Sequence, residues 1–486
     1  MTPLPGGKPK SLWRIKPVNV ILRQSEQAEH GLKRTLGPIS LTAMGIGAIV
    51  GTGIFVLTGV AAAKYAGPGL MVSFVIAGVV SGLAALCYAE FASSVPISGS
   101  AYTYSYATLG ELIAWIIGWD LILEYAVGAA AVSIGWSGYV TDLLKSAFGL
   151  ILPPGLTVSP FSGGIINLPA VIIILLITAL LIRGTSESSK VNNIIVAIKL
   201  AVVLFFIVVG VGHINPANWS PFLPFGDGGI LRGASIIFFA YIGFDMVSTS
   251  AEETRNPGRD LPIGIIGSLL ICTLLYILVT AVLTGMVPYT QLNVASPVSH
   301  AMILIGLNVA ASIISIGAIC GLTTVLIVLL YGQSRVFFSM SRDGLLPGVF
   351  SHIHPLLRTP YWSSLLIGVV VALVAGLTPI DVVAELTNIG TLAAFALVSL
   401  SVLILRRTQP NLHRTFRVPL VPLIPLLSII ASLVLIAFLP LVTILRFIVW
   451  LAIGLLIYFF YGRRRSKLDE EPEFEKEIAH EFPLEG

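Results

Sequence analysis

The chain has 486 residues, of which 56% are hydrophobic and 11% are charged, and its formal net charge is +4. A soluble domain carries about 25% charged residues, so this composition excludes an ordinary soluble protein. The apolar runs are as long as membrane-crossing helices, which indicates a polytopic all-α membrane protein rather than a barrel of short alternating strands.

Residues 1–36 are polar and basic, and we predict a cytoplasmic N-terminal segment there. Twelve apolar spans follow, and the chain ends in an acidic tail, residues 463–486, predicted to be solvated. The stretch 96–110 is predicted to be a connector at the membrane interface. The predicted spans are 38–63, 68–95, 111–142, 165–183, 190–212, 228–250, 263–286, 303–331, 361–378, 382–405, 419–438 and 440–462.

The basic residues support this count and its orientation. With the N-terminus inside, inward segments hold 23 of the 28 lysines and arginines. Outward loops hold only Lys64 and Lys145, and the other three, Lys199, Arg232 and Arg446, fall within spans. A bias of this kind is typical of cytoplasmic loops, so it predicts that both termini are cytoplasmic.

A glycine-rich stretch, Gly45 to Phe55, lies inside the first span. Glycine in a helix interior costs about 1 kcal/mol relative to alanine, and broken backbone at membrane depth is tolerated only against protein or a polar cavity. The stretch therefore predicts either a broken helix with free N–H groups that bind a small carboxylate, or close helix packing through Gly47 and Gly51.

A second interruption, residues 240–245, lies in span six, which enters from the opposite side of the membrane. Glycine-broken spans at matching positions of two inverted halves are a sequence indicator of a transporter's central site. We therefore predict a first repeat at 37–212, a second at 213–405, and two further spans at 406–462. A matching second break favours binding over packing alone.

Ionisable side chains within spans are candidates for function. Lys199 lies near the predicted midplane and is either a proton carrier or a structural lysine bonded to backbone carbonyls. Asp120 and Glu124 share one face of span three, and Glu124 could exchange a proton, contact a substrate amino group or be structural. Asp245 is predicted to cap the half-helix after the second break.

Span eight carries Thr323 and Thr324, whose hydroxyls could bond to the preceding turn or bind a sodium ion. Apolar Val325 and Leu326 follow them.

Several long motifs resemble the amino acid–polyamine–organocation superfamily. Gly45 to Phe55 is similar to its span-one signature, and 118–125, 239–245, 252–257 and 339–347 resemble the cationic amino acid transporter family. The resemblance covers about residues 33–462, and twelve spans match the shorter bacterial form.

This resemblance implies a LeuT-type five-plus-five inverted repeat with discontinuous spans one and six, two peripheral C-terminal spans and alternating access. It implies that the amides near Gly51, Thr52 and Gly53 bind the substrate carboxylate, and that carbonyls near Ile46, Phe238 and Ala240 receive the amino group. The full implied substrate site is Ile46, Ala48, Ile49, Gly51, Thr52, Gly53, Glu124, Phe238, Phe239, Ala240, Ile242 and Leu326.

The resemblance also bears on energy coupling. In sodium-coupled relatives spans one and eight hold the ion, here at Gly45, Ile46, Thr323 and Thr324; in proton-coupled relatives a lysine equivalent to Lys199 fills that space. We therefore predict proton coupling through Lys199 and Glu124, with no cofactor or metal beyond the proton gradient.

The predicted function is a plasma-membrane importer of L-amino acids, with small neutral substrates such as alanine favoured and cationic ones possible. The alternatives are a sodium symporter or an exchanger for arginine and lysine, and, from another class, a non-transporting nutrient sensor or a channel. The apolar centre has no ring of charges, which counts against a channel. No nucleophile–base set or metal-ligand spacing indicates an enzyme, and no nucleic-acid partner is predicted.

Overall fold

The computed structural model describes residues 14–15, 36–94, 101–184, 189–355, 359–412 and 414–467. Over these residues the regular elements are helices, with one isolated bridge between Leu36 and Thr254. Most of the predicted N-terminal segment and acidic tail lies outside the described residues. The longer helices are α1 (Pro38–Ile49), α2 (Leu70–Ser94), α3 (Ala101–Thr108), α4 (Glu111–Phe148), α5 (Leu168–Arg183), α6 (Ser189–Val211), α7 (Gly226–Ile237), α8 (Pro257–Met286), α9 (Pro297–Leu304), α10 (Asn308–Arg342), α11 (Tyr361–Leu377), α12 (Ile380–Thr408), α13 (Leu423–Ala437) and α14 (Leu441–Ile457).

Eight helical stretches of the described chain are long enough and apolar enough to cross a membrane. Four further apolar helices, α1, α5, α11 and α13, are shorter. Helix ends follow local chemistry: Asn167 caps α5 by accepting the Ala170 N–H, and Gly149, at φ 65°, ends α4 in a left-handed conformation that glycine adopts freely. The chain is therefore an all-helical, multi-pass membrane protein.

Two predicted segments differ in detail from the structure. The stretch predicted as a connector contains α3, whose tyrosines Tyr102, Tyr104 and Tyr106 are buried, because packing against neighbouring helices stabilises a segment with little helical periodicity of its own. The predicted span eight begins later: α9 ends at Leu304, Gly306 turns the chain at φ 82°, and α10 runs from Asn308 to Arg342.

Helix α4 lies at the centre and packs against α10 and α12, whereas α8 packs against α1 and α2. The C-terminal helix α14 is joined to α4 by a reciprocal tryptophan pair. Trp119 Nε1 donates to the Trp450 carbonyl at 2.8 Å, and Trp450 Nε1 donates to the Trp119 carbonyl at 3.1 Å. The rings stack with their centroids 4.4 Å apart. Helix α14 is therefore fixed to the helix that carries Glu124.

The buried carboxylate of Glu111 fixes the start of α4. It accepts a hydrogen bond from the Tyr458 hydroxyl at 2.9 Å and pairs with Arg14 at 2.9 Å. Ser466, beyond α14, donates to the same carboxylate at 2.5 Å. A buried carboxylate is stable when it is paired and hydrogen-bonded, so Glu111 holds residues from both ends of the described chain against α4.

Candidate functional site

The first helix break lies within the glycine-rich stretch. Helix α1 ends at Ile49, Val50 is extended with ψ 99°, and helical structure resumes at Gly53 as a π-helical turn. The N–H groups of Gly51, Thr52 and Gly53 donate no hydrogen bond to the part of the chain that the structure describes. These donors lie at the start of the resumed helix, where free N–H groups and the helix dipole favour an anion.

The second break follows α7. A short 3₁₀ turn spans Phe238–Tyr241, Ile242 is extended with ψ 132°, and Gly243 has φ 120°. The Asp245 carboxylate accepts the Gly243 N–H at 3.2 Å, so this side chain helps to hold the turn. A β-carbon on Gly243 would lie 2.9 Å from the Ala48 carbonyl carbon. Glycine is therefore required here by both the positive φ and the close approach of α1.

The two breaks touch each other directly. A β-carbon on Gly53 would lie 2.2 Å from the α-carbon of Ala240, although the two residues belong to different broken helices. The open space beside this contact is a cavity of about 490 Å³, including the part open to solvent. Its lining comprises Ala48, Ile49, Gly51, Thr52, Gly53, Glu124, Gly128, Val132, Phe239, Ile242, Gly243, Met246, Val325, Val328, Leu329 and Thr387.

The cavity brings together eight of the twelve residues predicted for the substrate site. Those eight are Ala48, Ile49, Gly51, Thr52, Gly53, Glu124, Phe239 and Ile242. The other four, Ile46, Phe238, Ala240 and Leu326, are buried but do not line the cavity. The Ile46 carbonyl accepts the Val50 N–H at 2.8 Å, and the Phe238 ring packs edge-on against Phe395.

The lining also contains residues that the sequence did not indicate. On α4, Gly128 and Val132 follow Glu124 at helical spacing, so the i, i+4 rule applied to Glu124 could have identified them. Thr387 on α12 and Met246 after the second break carried no such signal. The Thr52 hydroxyl is buried without a hydrogen-bond partner among the described residues, which leaves it available to a ligand.

Glu124 is 3% exposed, so its carboxyl group is almost fully removed from solvent. Asp120, one turn earlier on α4, is also buried, and one of its carboxylate oxygens has no hydrogen-bond partner in the described chain. The cavity lining also includes the apolar residues Gly128, Val132 and Leu329. The site thus combines the Glu124 carboxyl group with largely apolar walls.

Lys199 connects three helices. From α6 its Nζ donates to the Gly47 carbonyl of α1 at 2.8 Å, and the side chain is 1% exposed. A β-carbon on Gly321 of α10 would lie 3.0 Å from the Lys199 side chain, so the lysine passes closely over this glycine. A single lysine therefore joins the helix before the first break to α6 and α10.

The residues predicted for a former ion site lie on α1 and α10. Thr323 donates to the Ile319 carbonyl at 2.7 Å and accepts the Trp136 indole N–H at 3.0 Å. Thr324 donates to the Gly321 carbonyl at 2.8 Å, and a β-carbon on Gly45 would meet Ser268 of α8. Both hydroxyls are thus engaged by protein groups. Within the described residues, no group of three or more His, Cys, Asp or Glu side chains could hold a metal ion.

Comparisons with known proteins cover nearly the whole chain. A family model described as "Amino acid permease" matches residues 36–462. The chain is 51% identical over 462 residues to the methylthioribose transporter of Bacillus subtilis, covering 95% of this chain and 100% of the relative. It is 53% identical over 465 residues to the branched-chain amino acid permease BcaP of the same organism, covering 95% and 99%. It is 42% identical over 411 residues to the vacuolar cationic amino acid transporter 4 of Arabidopsis thaliana, covering 82% and 68%.

Proposed function

This chain belongs to the amino acid permease family of the amino acid–polyamine–organocation superfamily, and we propose that it imports neutral L-amino acids in symport with protons. The family and the membrane-length helices make it a multi-pass membrane transporter. The proposal concerns the substrate, the energy source and the residues that carry them. The observation that supports it most directly is the cavity where the two broken helices meet.

Alternating access in this proposal uses a LeuT-type inverted repeat. Residues 37–212 form the first repeat, residues 213–405 form the second, and residues 406–462 lie outside both. Breaks in α1 and after α7, which touch at Gly53 and Ala240, support this division. We place the transporter in the plasma membrane with both termini in the cytoplasm, as the distribution of basic residues favours.

The substrate carboxylate binds the free N–H groups of Gly51, Thr52 and Gly53 in this proposal, with the Thr52 hydroxyl as a further donor. These donors line the cavity and have no partner in the described chain, so a ligand does not compete with an existing bond. The amino group is placed at the carbonyl ends of the two broken helices, because transporter sites of this kind use such carbonyls for cations and each carbonyl oxygen can accept two hydrogen bonds.

The substrate side chain lies against apolar walls. Val132, Val325, Val328 and Leu329 would contact aliphatic groups, and Gly128 leaves room beside them. We therefore extend the preference for alanine to larger apolar side chains such as that of leucine. The name of the relative BcaP, a branched-chain amino acid permease, is in line with this preference. Glu124 in the cavity lining supports the alternative of a cationic substrate, with exchange of arginine or lysine.

Proton coupling is assigned to Lys199, with Glu124 as the second group. A protonated lysine that donates to the Gly47 carbonyl holds α1 against α6 and α10, and a neutral one holds it less strongly. Sodium coupling is less favoured because the buried Lys199 lies against α1 and α10, the two helices that hold the ion in sodium-coupled relatives. The energy source is the proton gradient, without a cofactor.

Uptake into proteoliposomes, with pH and sodium gradients imposed separately, tests this function. We expect an inward proton gradient to accumulate labelled leucine and alanine, and a sodium gradient to have no effect. Unlabelled leucine should compete at lower concentration than arginine, because a charged side chain loses its hydration against apolar walls. Accumulation driven only by sodium, or stronger competition by arginine, would contradict the proposal; binding without accumulation would favour a sensor.

Gly128 provides a test of the side-chain pocket. Its added β-carbon would lie 3.6 Å from Thr387 and 3.7 Å from Leu329, ordinary contact distances, so Gly128→Ala fits without displacing neighbours. The methyl group occupies cavity space, and we expect kcat/KM for leucine to fall about 10-fold while that for alanine changes little. Gly332→Ala, with its nearest contact at 3.7 Å outside the cavity, is the control. Equal loss for both substrates would argue against a size pocket here.

A further inference from the structure

Tyr276 lies on the side of α8 that faces both helix breaks. Its side chain is fully buried, and its ring centroid lies 5.2 Å from that of Phe74 and 5.6 Å from that of Tyr241. Two aromatic neighbours restrict the ring to one position, because aromatic pairs prefer edge-on or tilted packing. The hydroxyl is therefore held at a defined point in the centre of the molecule.

The Tyr276 hydroxyl contacts the carbonyl oxygens of Ile49 and Ala240, each at 2.8 Å. Ile49 is the last residue of α1, and Ala240 lies in the 3₁₀ turn after α7. One side chain on a third helix thus bridges the carbonyl ends of both broken helices.

The helix breaks explain why these two carbonyls need a partner. Within the described chain neither accepts a backbone N–H. In an unbroken helix the Gly53 N–H would donate to the Ile49 carbonyl, but Gly53 lies beyond the break. In a continued 3₁₀ turn the Gly243 N–H would donate to the Ala240 carbonyl, but it donates to the Asp245 carboxylate instead. A buried carbonyl without a donor is unfavourable, so the Tyr276 hydroxyl compensates for both breaks with one shared proton.

On the basis of the function proposed above, we propose that Tyr276 is a positioning residue that ties the two broken helices together at the substrate site. A hydroxyl has one proton, so a shift toward either carbonyl weakens its bond to the other. Movement of one break is therefore transmitted to the other through Tyr276. The free N–H groups beside Gly53 keep the geometry that a carboxylate needs only while this tie is present.

Tyr276→Phe removes the hydroxyl alone, and Tyr458→Phe is the matched control. The Tyr458 hydroxyl is also buried, and it donates to Glu111 far from the breaks. In the absence of leucine, both purified variants should have a lower Tm than the parent protein. Only Tyr276→Phe should raise the KM for leucine uptake and the Kd for leucine binding, by about 10-fold, because a lost buried hydrogen bond is worth about one decade in affinity.

Rescue distinguishes positioning from general stability. p-Aminophenylalanine incorporated at position 276 offers two N–H donors in place of the hydroxyl, and we expect a leucine Kd within about threefold of that of the parent protein. This variant also tests the proposal if Tyr276→Phe fails to fold. An unchanged Kd in Tyr276→Phe, an equal loss in Tyr458→Phe, or no rescue by the amine would overturn the role. Failure of the parent protein to bind leucine or alanine would instead contradict the proposed function.

Discussion

Replacement of Lys199 by alanine is expected to abolish accumulation driven by the proton gradient while leaving measurable substrate binding. The substitution removes the 2.8 Å bond to the Gly47 carbonyl and the one buried lysine that joins α1, α6 and α10 in the described chain. A hydrogen bond from a charged group contributes about 1.5–3 kcal/mol. Initial rates of leucine uptake should therefore fall about 10- to 100-fold.

Lys64→Ala is the control for this experiment. Lys64 pairs with Asp381 at 3.2 Å, but both side chains are about one-third exposed, and such surface pairs contribute about 0–1 kcal/mol. Its uptake should remain close to that of the parent protein. Both variants are compared in proteoliposomes under the same pH gradient, with binding of leucine measured separately. Full proton-driven accumulation in Lys199→Ala would refute the assigned role and leave the lysine a structural one.

Gly53→Ala is expected to have a large effect on transport for the addition of a single methyl group. Its β-carbon would lie 2.2 Å from the Ala240 α-carbon, and a backbone atom cannot rotate away as a side chain can. The two breaks must therefore separate, which costs about 1–3 kcal/mol or more and disturbs the free N–H groups. We expect leucine uptake to disappear and the Tm to fall by several degrees.

The matched control for Gly53→Ala is Gly82→Ala on α2. A β-carbon at Gly82 would meet only the end of Leu269 at 3.8 Å, and alanine favours a helix interior over glycine by about 1 kcal/mol. Uptake and Tm of Gly82→Ala should equal or exceed those of the parent protein. Normal uptake in Gly53→Ala would show that contact between the breaks is not needed for transport.

Local sequence was sufficient for the helical class and for the places where helices break. Long apolar runs require helices in a membrane because every backbone group must find a partner there. Gly51 and Gly53 at the end of the glycine-rich stretch, and Gly243 in the second interruption, lie where the structure interrupts its helices, whereas Gly45 and Gly47 lie inside α1. The sequence-based family resemblance is likewise confirmed by the match over residues 36–462. The repeat division, the site roles and the proton coupling remain predictions.

Rotation of each helix about its axis could not be predicted. Leu326 was predicted in the site, but its neighbour Val325 lines the cavity, a difference of one residue and about 100° around α10. Both are apolar, so composition does not distinguish the face toward the cavity from the face toward other helices. Helix α3 was missed for a related reason, since burial of Tyr102, Tyr104 and Tyr106 against distant residues stabilises it.

The sequence by itself determined a membrane protein of long helices, two glycine-rich breaks and a lysine within a span, because these depend on residue type and local spacing. Only the tertiary structure decided that Gly53 meets Ala240, that Lys199 reaches Gly47 and that Tyr276 bridges Ile49 and Ala240. Contacts of this kind join residues far apart in the chain. They are set by how helices pack against each other, which local spacing does not encode.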